Sequence, residues 1–443
     1  MNTPICDFIS HYVRENPLRC HMPGHKGKPL LGPEPWDITE VAGADSLYEA
    51  EGIIRDSEEN ASALFGAQTV YSTEGSSQCI RAMVYLALLR ARESGRSNRI
   101  LAGRNAHKTF LSAAALTGAD VRWLWGRTDS YLACPLNAEA VERALEEEPQ
   151  LPAAVYLTSP DYLGNTLDLA AIAAVCHARA VPLLVDNAHG AYLKFLRPSR
   201  HPVDLGADLC CDSAHKTLPG LTGTAYLHIS GDAPEVFSQQ VKNAMALFGS
   251  TSPSYLLLAS LDAVNRYLAD GYPDKLAVAA CRAEKLRARL VSAGWSLTGD
   301  EAMKLTLCTK PFGYTGMELA ERLAESGVVC EFADADHLVL MVTPESDLSR
   351  LEEVLLSVER RTPIAQTVPL MERPRKVLSV REALMSPCEA IPAAESAGRV
   401  LAAASVGCPP AVPIVVSGER ISDDAVKAFA YYGIESVTVI KEL

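Results

Sequence analysis

The sequence predicts an α/β fold: a large domain on a mainly parallel sheet with helices on both faces, followed by smaller α/β pieces. Three observations carry this. Short apolar runs alternate with helical patterns through the middle of the chain. Polar residues able to do chemistry follow those runs at once, at the expected carboxyl ends of parallel strands. The 443 residues, 48% apolar and 21% charged, suit a globular chain with room for two or three domains.

The elements follow in order. Residues 1–45 read as an N-terminal arm. Its start, Met1-Asn2-Thr3-Pro4-Ile5, lacks the basic and apolar segments of a signal peptide. His21 and His25 have the spacing of a helical metal pair, but Pro23-Gly24 between them breaks a helix, so no metal site is expected there. The large domain is expected over 46–268. In it, Val70 to Ser77 leads into a helix from Gln78 to Leu89, with Ile80, Met83, Val84 and Ala87 on its buried face. Ile100-Leu101-Ala102, the run Ala153 to Leu157, and Pro182 to Val185 read as buried strands. Between the last two, Leu169, Ile172, Ala173 and Cys176 recur with helical period, and Asp168 is placed to cap them. Leu209-Cys210-Cys211 is a further short apolar run. A helix from Asp274 to Leu290 opens a small α/β domain over 269–362. The proline- and charge-rich stretch from Arg360 to Arg375 reads as a linker into a C-terminal domain over 363–443, where Ile414-Val415-Val416 is expected to be a strand.

Composition excludes some functions. Lys plus Arg is 41 and Asp plus Glu is 54, a net charge of −13, which argues against a general nucleic-acid binder. No run of about 18 uncharged apolar residues occurs, so no transmembrane helix is expected. Twelve cysteines without a Cys-x-x-Cys pair read as reduced thiols in a cytoplasmic protein.

The chemistry is carried by four stretches. Asp186 follows Leu183-Leu184-Val185 directly; a lone aspartate there is also an ordinary cap or turn residue. Lys216, in Ser213-Ala214-His215-Lys216, lies among small and apolar residues, where desolvation frees an amine as a nucleophile. Alone it would be a surface lysine on a turn. Together, a carboxylate and a lysine at neighbouring strand ends fit pyridoxal phosphate: the lysine forms its Schiff base and the aspartate keeps its ring nitrogen protonated. Gly75, Ser76 and Ser77 precede a helix and would offer N–H and hydroxyl donors to its phosphate, although such residues also serve as plain caps. His107, after the strand at Ile100, could stack on the ring or be a hydrogen-bonded loop histidine.

This set resembles the pyridoxal-phosphate-dependent Orn/Lys/Arg decarboxylases of fold type I, in their shorter form without an N-terminal wing domain. The resemblance rests on His21-Met22-Pro23-Gly24-His25-Lys26-Gly27, Arg104-Asn105-Ala106-His107-Lys108, Asp186-Asn187-Ala188-His189-Gly190, Ser213-Ala214-His215-Lys216 and Thr251-Ser252-Pro253-Ser254-Tyr255, in the expected order. It implies a fold-type-I large domain and decarboxylation of arginine, lysine or ornithine through a Lys216 Schiff base. Lys216, His107 and Asp186 would be catalytic. Gly75, Ser76, Ser77, Ala188, His189, Ser213 and His215 would surround the cofactor. Ser252 would reach the phosphate of a second subunit, implying a homodimer or higher homo-oligomer. The implied partner is a small amino-acid substrate, with no nucleic acid and no membrane.

Two departures bear on the substrate. The family's Tyr-Pro-Pro-Gly-Ile/Val-Pro segment reads Cys408-Pro409-Pro410-Ala411-Val412-Pro413 here, followed by Ser417-Gly418-Glu419. Glu419 stays in place to pair with a cationic side chain, or is a solvated turn residue. Asp161 stands where the family more often has threonine. Glu331 and Asp334 could help receive a basic side chain, and surface acids would explain them equally well. Two other readings stay open: a fold-type-I aminotransferase or lyase acting on a different amino acid, and a homologue that binds partners without catalysis.

Overall fold

The computed structural model describes residues 1–126, 130–369, 372–403 and 412–441. Cys408 and Ala411, where the sequence departs from the family segment, lie outside them. By its contacts the chain divides into two compact units interleaved in the sequence. The first holds residues 1–97, 150–155 and 169–275; the second holds 98–149, 156–168 and 276–443. The strands of the larger sheet are β1 (Gln68–Ser72), β2 (Arg99–Gly103), β3 (Asp120–Leu124), β4 (Ala154–Thr158), β5 (Leu183–Asp186), β6 (Leu209–Asp212) and β7 (Ala225–Ile229).

In the first unit the strand order is β1-β7-β6-β5, and Val155 at the start of β4 donates to Pro182 C=O beside β5. β5 and β6 are parallel, with Asp186 opposite Cys211. β7 runs against both of its neighbours. Each of β5 and β6 is buried along its whole length, so a continuous apolar run rather than an alternating one is what these strands require. Helix α1 (Pro4–Glu15) and helix α2 (Ile53–Phe65) pack on each other, and α2 covers β1. Asp262 ties down the arm by accepting the Ile5 and Cys6 N–H groups at 3.0 Å each, two of the donors a helix start leaves unsatisfied. Helix α3 (Gly75–Glu93) lies on β6 and β7 and buries Ile80, Met83, Val84 and Ala87, the face expected from the sequence. It extends beyond the expected 78–89 at both ends, to Gly75 and Glu93.

In the second unit the rest of β4 lies in the order β4-β2-β3, with β2 and β3 parallel. Helix α4 (Lys108–Thr117) follows β2. A separate four-stranded antiparallel sheet has the order β10-β11-β9-β8, where β8 is Ser296–Thr298, β9 Lys304–Cys308, β10 Phe332–Ala333 and β11 His337–Met341. Near the C-terminus, β12 (Cys388–Pro392) pairs with β13 (Ser436–Ile440) over a core of Leu401, Ile414, Val415, Phe429 and Val439. Ile414-Val415-Val416 is buried there but is no strand. Arg104 draws off the Pro413 and Ile414 carbonyls at 2.9 Å each, and the Val416 N–H goes to Glu419, so the groups a ladder would use are taken. Among the described residues no helix is long and apolar enough to cross a membrane.

Candidate active site

The first unit assembles a cluster at the carboxyl ends of β5 and β6. Asp186 is the last residue of β5 and is 2% exposed. β6 runs one residue further, to Asp212; then Ser213 begins the single turn Ala214–Thr217 that presents Lys216. Lys216 is half-buried, and its Nζ lies 2.9 Å from Nε2 of the buried His189. His189 stands three residues beyond Asp186, so one strand end supplies the carboxylate and the base, and its neighbour supplies the amine. Asp186 Oδ1 accepts the Ala188 N–H at 3.1 Å, which fixes the carboxylate against its own turn.

A second group of the same unit faces an anion's requirements. α3 begins at Gly75 without a side-chain cap bond from Glu74, and a helix start presents N–H groups and the positive end of the helix dipole. Gly75 has φ +68°, a left-handed conformation that glycine adopts without strain, and its N–H donates to Gly223 C=O at 2.7 Å. Ser213 Oγ donates to Ser76 Oγ at 2.9 Å, which joins the lysine-bearing turn to the helix start. The His215 ring donates through Nδ1 to Thr224 C=O at 2.8 Å, which orients its other nitrogen. This donor set, hydroxyls and helix N–H groups beside a lysine and a strand-end carboxylate, fits pyridoxal phosphate. Ser252 is exposed, in the loop before the helix Tyr255–Ala269.

Behind the strand ends lies a network that sequence reasoning missed. Asp212 Oδ2 accepts from His201 at 3.0 Å and His228 at 3.1 Å, and Oδ1 accepts from Asn187 Nδ2 at 2.6 Å. All three ionisable groups are fully buried. Burial opposes the charge on Asp212, but His201 and His228 outweigh it and hold the carboxyl well below the usual range. Asn187 belongs to the Asp186 motif, so the network braces the segment carrying Asp186 and His189. The available signal was His228, a polar residue inside the apolar run of β7.

The second unit holds the remaining expected residues. His107 caps α4: its Nδ1 accepts the Thr109 N–H at 3.2 Å. Asp161 is buried, and its carboxylate is spent on its own loop, accepting from Leu163 N–H at 2.9 Å, Asn165 N–H at 2.9 Å and Asn165 Nδ2 at 2.8 Å. Burial pushes its carboxyl up to about 6 against the pull of these hydrogen bonds. Glu419 is 2% exposed and lies 3.1 Å from Arg104 Nη2, in place of the solvated turn weighed from the sequence. Glu331 is exposed and accepts from Tyr162 Oη at 3.1 Å. Asp161 and Arg104 line a cavity of 1770 Å³ with Trp125, Tyr131, Lys310 and Asp336; Glu331 lies on a different pocket. His21 and His25 turn to separate partners, Tyr12 and Asp37.

Comparison with known proteins gives these features a family. The model described as Orn/Lys/Arg decarboxylase, major domain, matches residues 3–304. The uncharacterized protein YaaO of Bacillus subtilis is 31% identical over 96% of this chain and 93% of its own length. An arginine decarboxylase of Halalkalibacterium halodurans is 29% identical over 95% of this chain and 91% of its own. Among solved structures, the constitutive lysine decarboxylase of E. coli superposes with a TM-score of 0.78 at 18% identity, covering 99% of this chain and 82% of that one. At that identity the likeness is one of fold, and the fold is the type I fold expected from the sequence.

Proposed function

The chain belongs to the Orn/Lys/Arg decarboxylase family, and from that premise we propose that it removes the α-carboxylate of a basic amino acid, arginine foremost. Family membership makes it a pyridoxal-phosphate-dependent decarboxylase. The cofactor, when bound, supplies an electron sink for the pair left by the departing carboxylate. The chain's own residues do the rest. Lys216 supplies the amine that would attach the cofactor, and His189, 2.9 Å from it, holds or passes a proton at Nζ. Asp186, buried at the strand end, would keep a proton on the ring nitrogen. Gly75, Ser76, Ser77, Ser213 and His215 would hold the phosphate, and the small Ala188 leaves room for the ring at the strand end. His107 would lie on the ring face, and Ser252 would reach the phosphate of a second subunit, making a homodimer the active form.

For the substrate's distal cation we favour Glu331 over Glu419, because Arg104 already compensates the Glu419 charge. Asp161 is engaged by its own loop and need not repel a substrate carboxylate. Arginine is favoured because relatives matching along most of this chain carry the name arginine decarboxylase. The observation that carries the reading is the Lys216–His189 pair beside Asp186 on adjacent parallel strand ends.

The test is a panel of arginine, lysine and ornithine with the cofactor-loaded protein, measuring carbon dioxide and amine. Arginine should release both in equal amounts, and Lys216→Ala should lose the cofactor's visible absorbance together with turnover. Keto acid in place of amine would show an aminotransferase instead. Turnover retained in Lys216→Ala would overturn the role of that lysine.

A further inference from the structure

The hairpin between β10 and β11 reads Asp334-Ala335-Asp336-His337, and its polar atoms are poorly satisfied for their burial. Asp334 is 7% exposed. Asp334 Oδ2 and Asp336 Oδ2 are shut from solvent without a hydrogen-bond partner, and His337 Nδ1, equally shut from solvent, has only the Asp334 Oδ1 contact at 3.5 Å. Buried acceptors left in that state are costly, and several together around one point call for a cation. One ligand atom from each of the three residues lies within 4.8 Å of the others. Across the β9–β11 ladder His337 is opposite Cys308, whose thiol lies within reach of the imidazole. Nitrogen and carboxylate oxygen from the three clustered residues, with the Cys308 sulfur across the ladder as a fourth donor outside that cluster, suit a borderline-soft divalent ion.

We propose that Asp334, Asp336, His337 and Cys308 bind a divalent transition metal of the zinc class. Lys310 Nζ, 2.9 Å from Asp336 Oδ1, keeps that oxygen while Oδ2 faces the ion. The charges then balance: two carboxylates and one thiolate against one ammonium and the divalent ion. The ion would clamp the hairpin to β9, in the second unit alone, and takes no part in the chemistry proposed above.

The test is equilibrium dialysis of the full-length, cofactor-loaded protein against Zn²⁺, with bound metal counted by atomic emission. The wild type should hold one Zn²⁺ per chain that His337→Gln and Asp334→Asn bind about tenfold more weakly or worse. A second readout is site-specific. Alkylation of Cys308, followed by peptide mass spectrometry, should slow when Zn²⁺ is present, and this protection should vanish in His337→Gln. Cofactor absorbance, measured on the same samples, shows that the variants are folded and keeps this question apart from the decarboxylase reading. If Asp334→Asn fails to fold, His337→Gln and the alkylation arm decide. Absence of stoichiometric binding, binding that His337→Gln leaves unchanged, or Cys308 alkylation indifferent to Zn²⁺ would each overturn the site.

Discussion

Asp212→Asn is the sharpest test of how the first unit is held together. The carboxylate is fully buried and accepts from Asn187 at 2.6 Å, His201 at 3.0 Å and His228 at 3.1 Å. An amide keeps one acceptor oxygen and turns an NH2 group toward donors, so about two bonds to a charged acceptor are lost, each worth about 1.5–3 kcal/mol. Breaking a buried ionic group from one side costs about 3–5 kcal/mol by the same reasoning from charge burial, so we expect a loss in that range. Denaturant unfolding at pH 7, followed by circular dichroism and by cofactor absorbance, measures it. The pH dependence has a definite sign. Because the folded-state carboxyl is depressed, its contribution is present above the unfolded value, about 3.9, and is lost as pH falls below it. The gap between wild type and variant should therefore close in acid. A variant within about 0.5 kcal/mol of wild type at pH 7 would refute the argument.

Three further outcomes follow from the same structure. Asp161 has a raised folded-state carboxyl, about 6, so its share of stability is present below about 3.9 and lost as pH rises through 6. Unfolding free energies of wild type minus Asp161→Asn should fall by about 3 kcal/mol across that window, at about 1.4 kcal/mol per unit, and a flat difference would contradict the burial argument. Glu419→Gln should lose about 1–2 kcal/mol of stability with the KM for arginine within about threefold, whereas a KM rise above about tenfold at unchanged stability would place the carboxylate on the substrate. Gly249→Ala puts a Cβ where Tyr48 Oη and Gln78 Nε2 stand, and the overpacking should cost about 1–3 kcal/mol in the same unfolding assay. A neutral Gly249→Ala would mean that the Tyr48–Gln78 contact gives way freely.

How much of this was legible beforehand differs by element. The strands at Ile100, Ala154, Leu183 and Leu209 could be read because a parallel strand buried on both faces is an uninterrupted apolar run. Asp186 could be read because it follows such a run directly, and Lys216 because it lies among small and apolar residues just beyond another. Ile414-Val415-Val416 has the same apolar composition and misled for that reason. What denies it a ladder is a guanidinium more than 300 residues away, and nothing local records that. Glu419 was legible as a residue of interest, but the cation that meets it is Arg104. The His201–Asp212–His228 network drew no attention because its members are separated in sequence and carry no spacing rule.

The sequence by itself determined the periodicities, hence the order of strands and helices, and it placed a lysine and an aspartate at strand ends, hence the cofactor class. Those are local properties, set by neighbours within a few residues. The tertiary structure decided what meets each buried carboxylate: Arg104 for Glu419, the His201 and His228 rings for Asp212, and N–H groups of its own loop for Asp161. Charge pairing in a buried site depends on through-space distance and on exclusion of water, and neither is a function of separation along the chain.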